Sequence, residues 1–446
     1  MVAPGPRANV KAVSTMSTCW LRDWGPSLRI VIATPTTPMN VHGLASSFTA
    51  LGAAAVLSAL LIACGGGSTG SAANTPSDAA LLSQPRAAPS AESVAVGDLL
   101  FHDTRLSAAG NLACVTCHVQ ERGHADADGV FLPLGGLALD QQGLRSSPTL
   151  NYLNENRAFA FDAEGRPSGG FTWDGRADTR AAQALGPLLA SNEMAHANSA
   201  SVVARVRTLP YFAQLLSASA LAPTAPDAKV LEALQLALEA YQAGDIDYQP
   251  YTSKFDAVQD GRVAFNAQEA RGLAIFNSPQ RGNCASCHSS TPAAGQSRAL
   301  FTNFGYFALG VPRNRSTATA DPAFFDMGLC GPVRTDLSHR KDLCGKFKVP
   351  TLRNVALTGP YFHNGAVASL QEAVSFYATR DIDPARWYPV VNGVVDKFND
   401  LPVAYRSNVE QQAPFGLQPG QPPKLSLQDV QDLVAFLQTL TDGFVP

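Results

Sequence analysis

Apolar residues recur at intervals of three and four in separate stretches of this chain, and each stretch predicts a helix that buries one face. The first begins near Ser93, where Val94, Val96, Leu99, Leu100 and Phe101 form a stripe. Further stripes run from Ala181 to Leu189, from Val202 to Leu221 and from Ala228 to Ala243. Asp245 to Asp260 is polar and predicts a link between two halves. Helical periodicity resumes at Asn266, which has Glu269 three residues later as in a capping box, and runs through Phe276. Near the C-terminus, Leu427, Val430, Leu433, Val434, Leu437 and Leu440 follow Ser426, an N-cap residue with Asp429 at the third helical position. The run from Gly123 to Leu144 has no period and predicts loop. The whole pattern predicts mostly helix, long loops and at most short strands.

Each half carries a Cys-x-x-Cys-His, first as Cys114-Val115-Thr116-Cys117-His118 and again as Cys284-Ala285-Ser286-Cys287-His288. Two thiols at this spacing can each add to one vinyl group of a haem, and the following histidine then reaches the iron from one face. A single copy also fits half a zinc site or a redox dithiol. Here the residues from Val119 to Asn283 separate the copies and each has its own histidine, so the pair predicts two covalent c-type haems rather than one zinc centre. The fold class that follows is mainly α, with two c-type cytochrome-like haem domains with long loops over 93–245 and 246–446.

A chain of 446 residues that is 46% apolar is long enough for two such cores. A net charge of -3 and a pI near 6.2 offer no basic surface for nucleic acid. The segment from Gly43 to Ala63 carries no charge, and its apolar part ends at Leu61-Ile62-Ala63-Cys64. That resembles a bacterial lipoprotein signal, cleaved before Cys64 so that a lipid on this cysteine holds the protein to a membrane; a plain secretory signal or an anchor helix is the alternative. Residues 1–63 are then signal and upstream sequence, in which 1–38 with Cys19 precede a second candidate start at Met39. The Gly-, Ser-, Ala- and Pro-rich run over 64–92 predicts a flexible tether. Export to the periplasm or cell envelope suits c-type haem, which bacteria attach outside the cytoplasm. In such a compartment Cys330 and Cys344 predict a disulfide, with two buried free thiols as the alternative.

Further short motifs stand in a fixed order: Arg105-Leu106-Ser107, the first haem motif, Ser147-Pro148-Thr149, Trp173-Asp174-Gly175-Arg176, the second haem motif, Thr351-Leu352-Arg353-Asn354 and Pro360-Tyr361-Phe362-His363-Asn364-Gly365. Over 93–442 this order resembles the bacterial dihaem cytochrome c peroxidase and MauG superfamily. The resemblance implies that the His118 haem reacts with H2O2 and the His288 haem stores or relays an electron. It places Trp173 between the haems and puts Gln183 and Glu193 in the distal pocket of the first. Glu193 is the candidate that takes a proton from the near peroxide oxygen and returns it to the far one. From the residues alone, Glu193 reads as a solvated helix-end carboxylate and Trp173 as a core aromatic.

Two departures set the subtype. Members that need reductive activation have a distal histidine where Ala138 stands, so the first iron is expected to be open; His124 is either a loop side chain or a residue able to swing in. Ordinary peroxidases have methionine where Tyr377 stands, seventeen residues after Pro360, whereas MauG-type proteins have tyrosine, whose phenolate favours ferric and higher states. Met327 is the rival ligand, and on periodicity alone Tyr377 shares a helix stripe with Leu370, Ala373 and Val374. The family holds Ca2+ between its haems: Thr358 and Pro360 match the carbonyl donors, and Ser146 replaces an asparagine, a hydroxyl being the weaker ligand. His363 matches a family histidine near the second haem, or serves a structural hydrogen bond. The leading expectation is a MauG-like enzyme that uses H2O2 and oxidises a partner protein. The alternatives are a cytochrome c peroxidase fed by a small cytochrome c or cupredoxin, and a dihaem electron carrier without chemistry of its own.

Overall fold

A computed structural model describes residues 88–126, 132–314 and 323–446, so the expectations for the signal, Cys64 and the tether lie outside the described residues. The described chain is mainly helical, with four antiparallel ribbons of two-residue strands. Helix α1 (Ala91–His102) begins where the Ser90 hydroxyl accepts from the Ser93 amide. After it come α2 (Cys114–Cys117), α3 (Arg180–Leu189), α4 (Ser199–Val206), α5 (Phe212–Ala218) and α6 (Asp227–Gly244). The stripe expected to run unbroken from Val202 to Leu221 is two helices. Pro210 has no amide to donate and restricts the residue before it, so the chain turns between α4 and α5.

The second half repeats the scheme with α7 (Lys254–Gln259), α8 (Ala267–Asn277), α9 (Leu370–Thr379) and α10 (Leu427–Gln438). Both expected capping boxes form, Asn266 with Glu269 and Ser426 with Asp429. One hydrophobic core gathers residues between Val96 and Tyr248, a second gathers residues between Phe255 and Leu440, and both belong to one compact unit. Each core is organised by one close crossing, α1 on α6 and α8 on α10. A Cβ added at Gly97 would stand 2.1 Å from the Ala237 carbonyl oxygen, and one at Gly272 would stand 2.0 Å from that of Asp432. Four residues after each glycine comes a buried phenylalanine, Phe101 or Phe276, so the helices meet backbone to backbone with an aromatic wedge one turn on.

The Gly123 to Leu144 loop contains a ribbon pairing Leu134–Gly135 with Gln141–Gln142. The polar segment from Asp245 to Asp260 joins the two cores, as expected, and is itself folded: it holds α7 and buries Tyr248, Ser253, Phe255, Asp256 and Ala257. The charge there is paired: Arg353 Nη1 and Nη2 donate to Asp256 Oδ2 and Oδ1 at 2.9 and 3.0 Å, both side chains being 0% exposed. Arg353 also lies over the rings of Tyr152 and Tyr251, so residues on either side of the link are tied to it. Cys330 and Cys344 are disulfide-bonded, as expected.

Burial pushes the Asp256 carboxyl up, but the bonds and charge of Arg353, with bonds from Ser253, outweigh burial and hold it below the usual range. Its stabilisation is therefore present above the unfolded-state value of about 3.9 and is lost as pH falls below it. Asp256→Ala strands a buried guanidinium and should cost about 3–5 kcal/mol. Urea unfolding at pH 7 measures that loss, and the gap between variant and wild type should narrow on acidification below pH ~4.

Candidate functional site

The two Cys-x-x-Cys-His segments are each a single turn, closed by the histidine amide donating to the first cysteine's carbonyl at 3.0 Å in α2 and 2.8 Å at Cys284. Both thiols and the histidine thus emerge from one turn. His118 Nδ1 donates to the His124 carbonyl at 3.0 Å, and His288 Nδ1 to the Phe301 carbonyl at 2.9 Å. A carbonyl only accepts, so Nδ1 carries the proton and Nε2 keeps the lone pair a metal needs. Burial pushes both imidazoles down to about 4, which keeps them in the neutral, ligating form. His124 and Phe301 each adopt φ 53°, the left-handed conformation that turns the carbonyl back toward the histidine.

His124 sits in a loop, as one expectation had it, but it is held in place and not free to swing. It is buried, its Nδ1 lies 2.7 Å from Asn151 Oδ1, and its ring stacks on Tyr248 at 4.1 Å and 17°. It acts on the site through its backbone, by orienting His118.

The repetition extends further than the haem motifs. The Thr149 hydroxyl donates to the Gly123 carbonyl and that of Thr351 to the Leu300 carbonyl, each threonine following a proline. Two seven-residue turns, 171–177 and 361–367, are closed by the bridges Phe171 to Ala177 and Tyr361 to Val367. Trp173 and His363 hold the same place in these turns. The halves then exchange bonds, for the Lys348 amide donates to the Trp173 carbonyl and the Ser146 amide to the His363 carbonyl, both at 2.9 Å. Trp173 Nε1 also donates to the Ser146 carbonyl at 2.8 Å.

This exchange carries Trp173 into the wall of a cavity of about 1110 Å³ whose lining includes Cys284, Cys287, His288, Tyr377 and His363. Tyr377 is brought there by α9 and stacks on Phe415 at 5.3 Å. Burial pushes its phenol well above the ordinary range, so a phenolate forms there only against a cation. Met327 is not in the lining and packs against a third core around Phe376 and Tyr388. His363 stacks on Phe347 at 3.5 Å, and its Nε2 has no hydrogen-bond partner, the Asp400 carboxylate lying 3.9 Å away.

Around the first motif, Gln183 lies on α3 and Glu193 in the turn after it. The Glu193 carbonyl accepts from the Gly136 amide at 2.8 Å, which pins the Leu134 to Gln142 ribbon against this turn, with Ala138 exposed at its tip. Glu193 is exposed to solvent on this turn, while its carboxylate is crowded by protein atoms. Burial pushes it above the usual range, Arg176 pulls it back, and its charge is felt by Cys117.

The sequence pattern passes over three residues. Asp126 is buried beside Ser146, and its Oδ2 accepts from the Ser146 hydroxyl at 2.7 Å and the Ser147 amide at 2.9 Å while Oδ1 has no partner. The Pro360 carbonyl lies 3.5 Å from the Ser146 hydroxyl, so of the expected cation ligands these two meet, and the harder donor is the unforeseen carboxylate. Arg145, next to Ser146, bridges Asp174 and Asp326 across the halves. Lys348, two residues before Pro350, lines the cavity. Only the turn at Trp173-Asp174-Gly175 and its echo at His363-Asn364-Gly365 could have signalled these cross-connections in the sequence.

The site disfavours other uses of the cysteines. Burial pushes Cys114, Cys117 and Cys284 up to about 12, far from the low value of a redox dithiol. Among the described residues no three His, Cys, Asp or Glu side chains converge as a metal-binding group.

Comparison with known proteins agrees with this geometry. The family model for di-haem cytochrome c peroxidase matches residues 91–264. Methylamine utilization protein MauG of Paracoccus denitrificans is 34% identical over 364 residues, covering 78% of this chain and 88% of that protein. The chain belongs to the di-haem cytochrome c peroxidase family. Cytochrome c551 peroxidase of Pseudomonas aeruginosa is 30% identical, the match covering 63% of this chain and 70% of that protein. Among solved structures, the diheme peroxidase BthA of Burkholderia thailandensis superposes with a TM-score of 0.73 at 36% identity, covering 80% of this chain and 87% of that one. As a member of this family the protein is an enzyme of the dihaem peroxidase and MauG kind and takes two haems.

Asn151→Leu removes the partner of the buried His124 Nδ1 and should cost roughly 1–3 kcal/mol. Denaturant unfolding reads that loss, and a variant as stable as wild type would show that Asn151 does not hold His124.

Proposed function

We propose that this dihaem enzyme is MauG-like: H2O2 reacts in the first half, the second half shares the oxidising equivalent, and a tyrosine or tryptophan of a partner protein is what is finally oxidised. Thioethers on Cys114 and Cys117 and on Cys284 and Cys287 would hold the two haems, and His118 and His288 would supply a nitrogen to each iron. When bound, the haems supply the iron redox chemistry. The observation that carries the subtype is that Tyr377 shares one cavity with Cys284, Cys287 and His288 while Met327 does not. A thioether would favour the reduced iron, whereas an anionic oxygen favours oxidised states.

Glu193 is the general acid and base. A carboxyl kept above its ordinary range can take the proton from the near peroxide oxygen and return it to the far one, so that water leaves. Gln183 orients the peroxide beside it. Trp173 belongs to the first half by sequence and to the cavity of the second half by position, which suits it to share an oxidising equivalent between the halves. His118 and His288 are aimed by the His124 and Phe301 carbonyls. Ca2+ would be held by Asp126, Ser146 and Pro360, with Thr358 adjoining. The likeness to the Pseudomonas peroxidase keeps a second reading in view, reduction of H2O2 to water with electrons from a small cytochrome c or cupredoxin. We place the protein in the periplasm or cell envelope, where c-type haem is attached; among the described residues no helix is long and apolar enough to cross a membrane.

Stopped-flow mixing of the diferric protein with H2O2 tests the subtype. A long-lived oxidised species without prior reduction is expected, and inertness until one haem is reduced would select the second reading. Glu193→Gln should slow the reaction with H2O2 by about 10²–10⁴. The wild-type rate should rise with pH through a midpoint above that of an ordinary glutamate, because the base must be ionised, and this step should vanish in Glu193→Gln. Tyr377→Met should raise the midpoint potential of the second haem, whereas Met327→Leu should leave it in place; the opposite pattern in spectroelectrochemistry would make Met327 the ligand.

A further inference from the structure

Lys348 faces the cavity of the second haem motif with its charge unpaired. Its Nζ donates to the Gly170 carbonyl at 2.7 Å and lies 5.8 Å from the centre of the Phe171 ring. Among the described residues no carboxylate lies within the 4.0 Å of an ion pair. The carboxylate whose charge it feels, Asp174, is committed to Arg145, Arg176 and the Thr172 hydroxyl. A half-buried ammonium in this state is desolvated without compensation until an anion meets it.

The internal repeat shows that the second half lacks the carboxylate that the first half places at the equivalent position. Lys348 stands two residues before Pro350 as Ser146 stands two before Pro148, and each gives its amide to the opposite turn. In the first half Asp126, two residues after His124, meets the Ser146 side chain. In the second half the matching residue, two after Phe301, is Asn303, which is uncharged and spends its amide oxygen on Gly305. One half pairs a hydroxyl with a carboxylate, and the other presents a cation to a cavity whose carboxylates, Asp326 and Asp400 among them, stay beyond ion-pair distance of it.

We propose that Lys348 anchors a propionate carboxylate of the second haem and, through its bonds to Gly170 and Trp173, ties the charge at that haem to the turn that carries Trp173. The inference rests on the functional reading above, in which that haem occupies this cavity. A haem bound at Cys284, Cys287, His288 and Tyr377 has only its two propionates as anionic ends. Burial pushes the Lys348 amine down to about 7 in the chain alone, and a carboxylate in contact restores the ammonium. Lys348 is a positioning residue: it sets charge at the haem edge and takes no part in bond breaking.

The test uses the haem-loaded protein and the variants Lys348→Met, Lys348→Gln and Lys348→Arg. Pyridine haemochrome assay counts the thioether-bound haems, and spectroelectrochemistry gives the midpoint of each. Met and Gln should keep two haems and shift the second midpoint to lower potential with the first unmoved, because a bare propionate favours ferric iron. Arg should keep the wild-type value, which a packing role alone would not require. A Met variant with two haems and an unmoved midpoint overturns the inference, as does an Arg variant that falls as far as Met. A wild-type midpoint that follows added chloride or phosphate also overturns it, by assigning the amine to a free anion. Wild-type protein with fewer than two thioether-bound haems overturns the functional reading and this inference with it, whereas two haems with an unmoved midpoint overturn the inference alone.

Discussion

The site depends on two backbone carbonyls. His124 and Phe301 are held in the left-handed conformation, and each turns its carbonyl toward the Nδ1 of a histidine that follows a Cys-x-x-Cys turn. A left-handed backbone at a bulky residue is uncommon and persists only when its surroundings over-determine it. For His124 the surroundings are the Tyr248 ring and Asn151; for Phe301 they are the rings of Phe255, Phe276 and Phe436. A polar clamp in one half and an aromatic one in the other reach the same end, a fixed tautomer with its free nitrogen in a set direction.

Around these anchors the halves are joined by exchanged bonds. The amides of Ser146 and Lys348 cross to the turns bearing His363 and Trp173, and Arg145 bridges Asp174 to Asp326. Each is a buried polar contact between segments far apart in the chain, where leaving either partner unsatisfied costs the full desolvation of a polar group. The same logic explains the Arg353 and Asp256 pair, which fastens the segment between the cores. Side chains that are weak guides to structure when solvated thus become the fasteners between halves when they pair. The indole of one half is thereby placed in the cavity of the other.

What can be read from the chain alone is what depends on neighbours close in sequence. The helices over Ala267–Asn277 and Leu427–Gln438 follow from capping boxes three residues long and a 3.6-residue stripe. The haem motifs follow because two thiols and a histidine must leave one turn together. The link between the halves can be placed by its polarity, but composition does not report that its charge is paired and buried, and the Val202 to Leu221 stripe conceals a break that Pro210 imposes. His124 was undecidable because a histidine in a Gly-rich run looks the same whether it is solvated or stacked.

The sequence by itself determined the helical class, the two Cys-x-x-Cys-His turns, the disulfide partners and the order of motifs, all of which rest on local spacing. Only the tertiary structure decided that Tyr377 and not Met327 lines the cavity of the second half, that Asp126 stands at Ser146, and that Lys348 has no carboxylate within ion-pair distance. Those outcomes depend on which distant segments meet, and a chain reveals such meetings only once burial has forced every polar group in them to find, or lack, a partner.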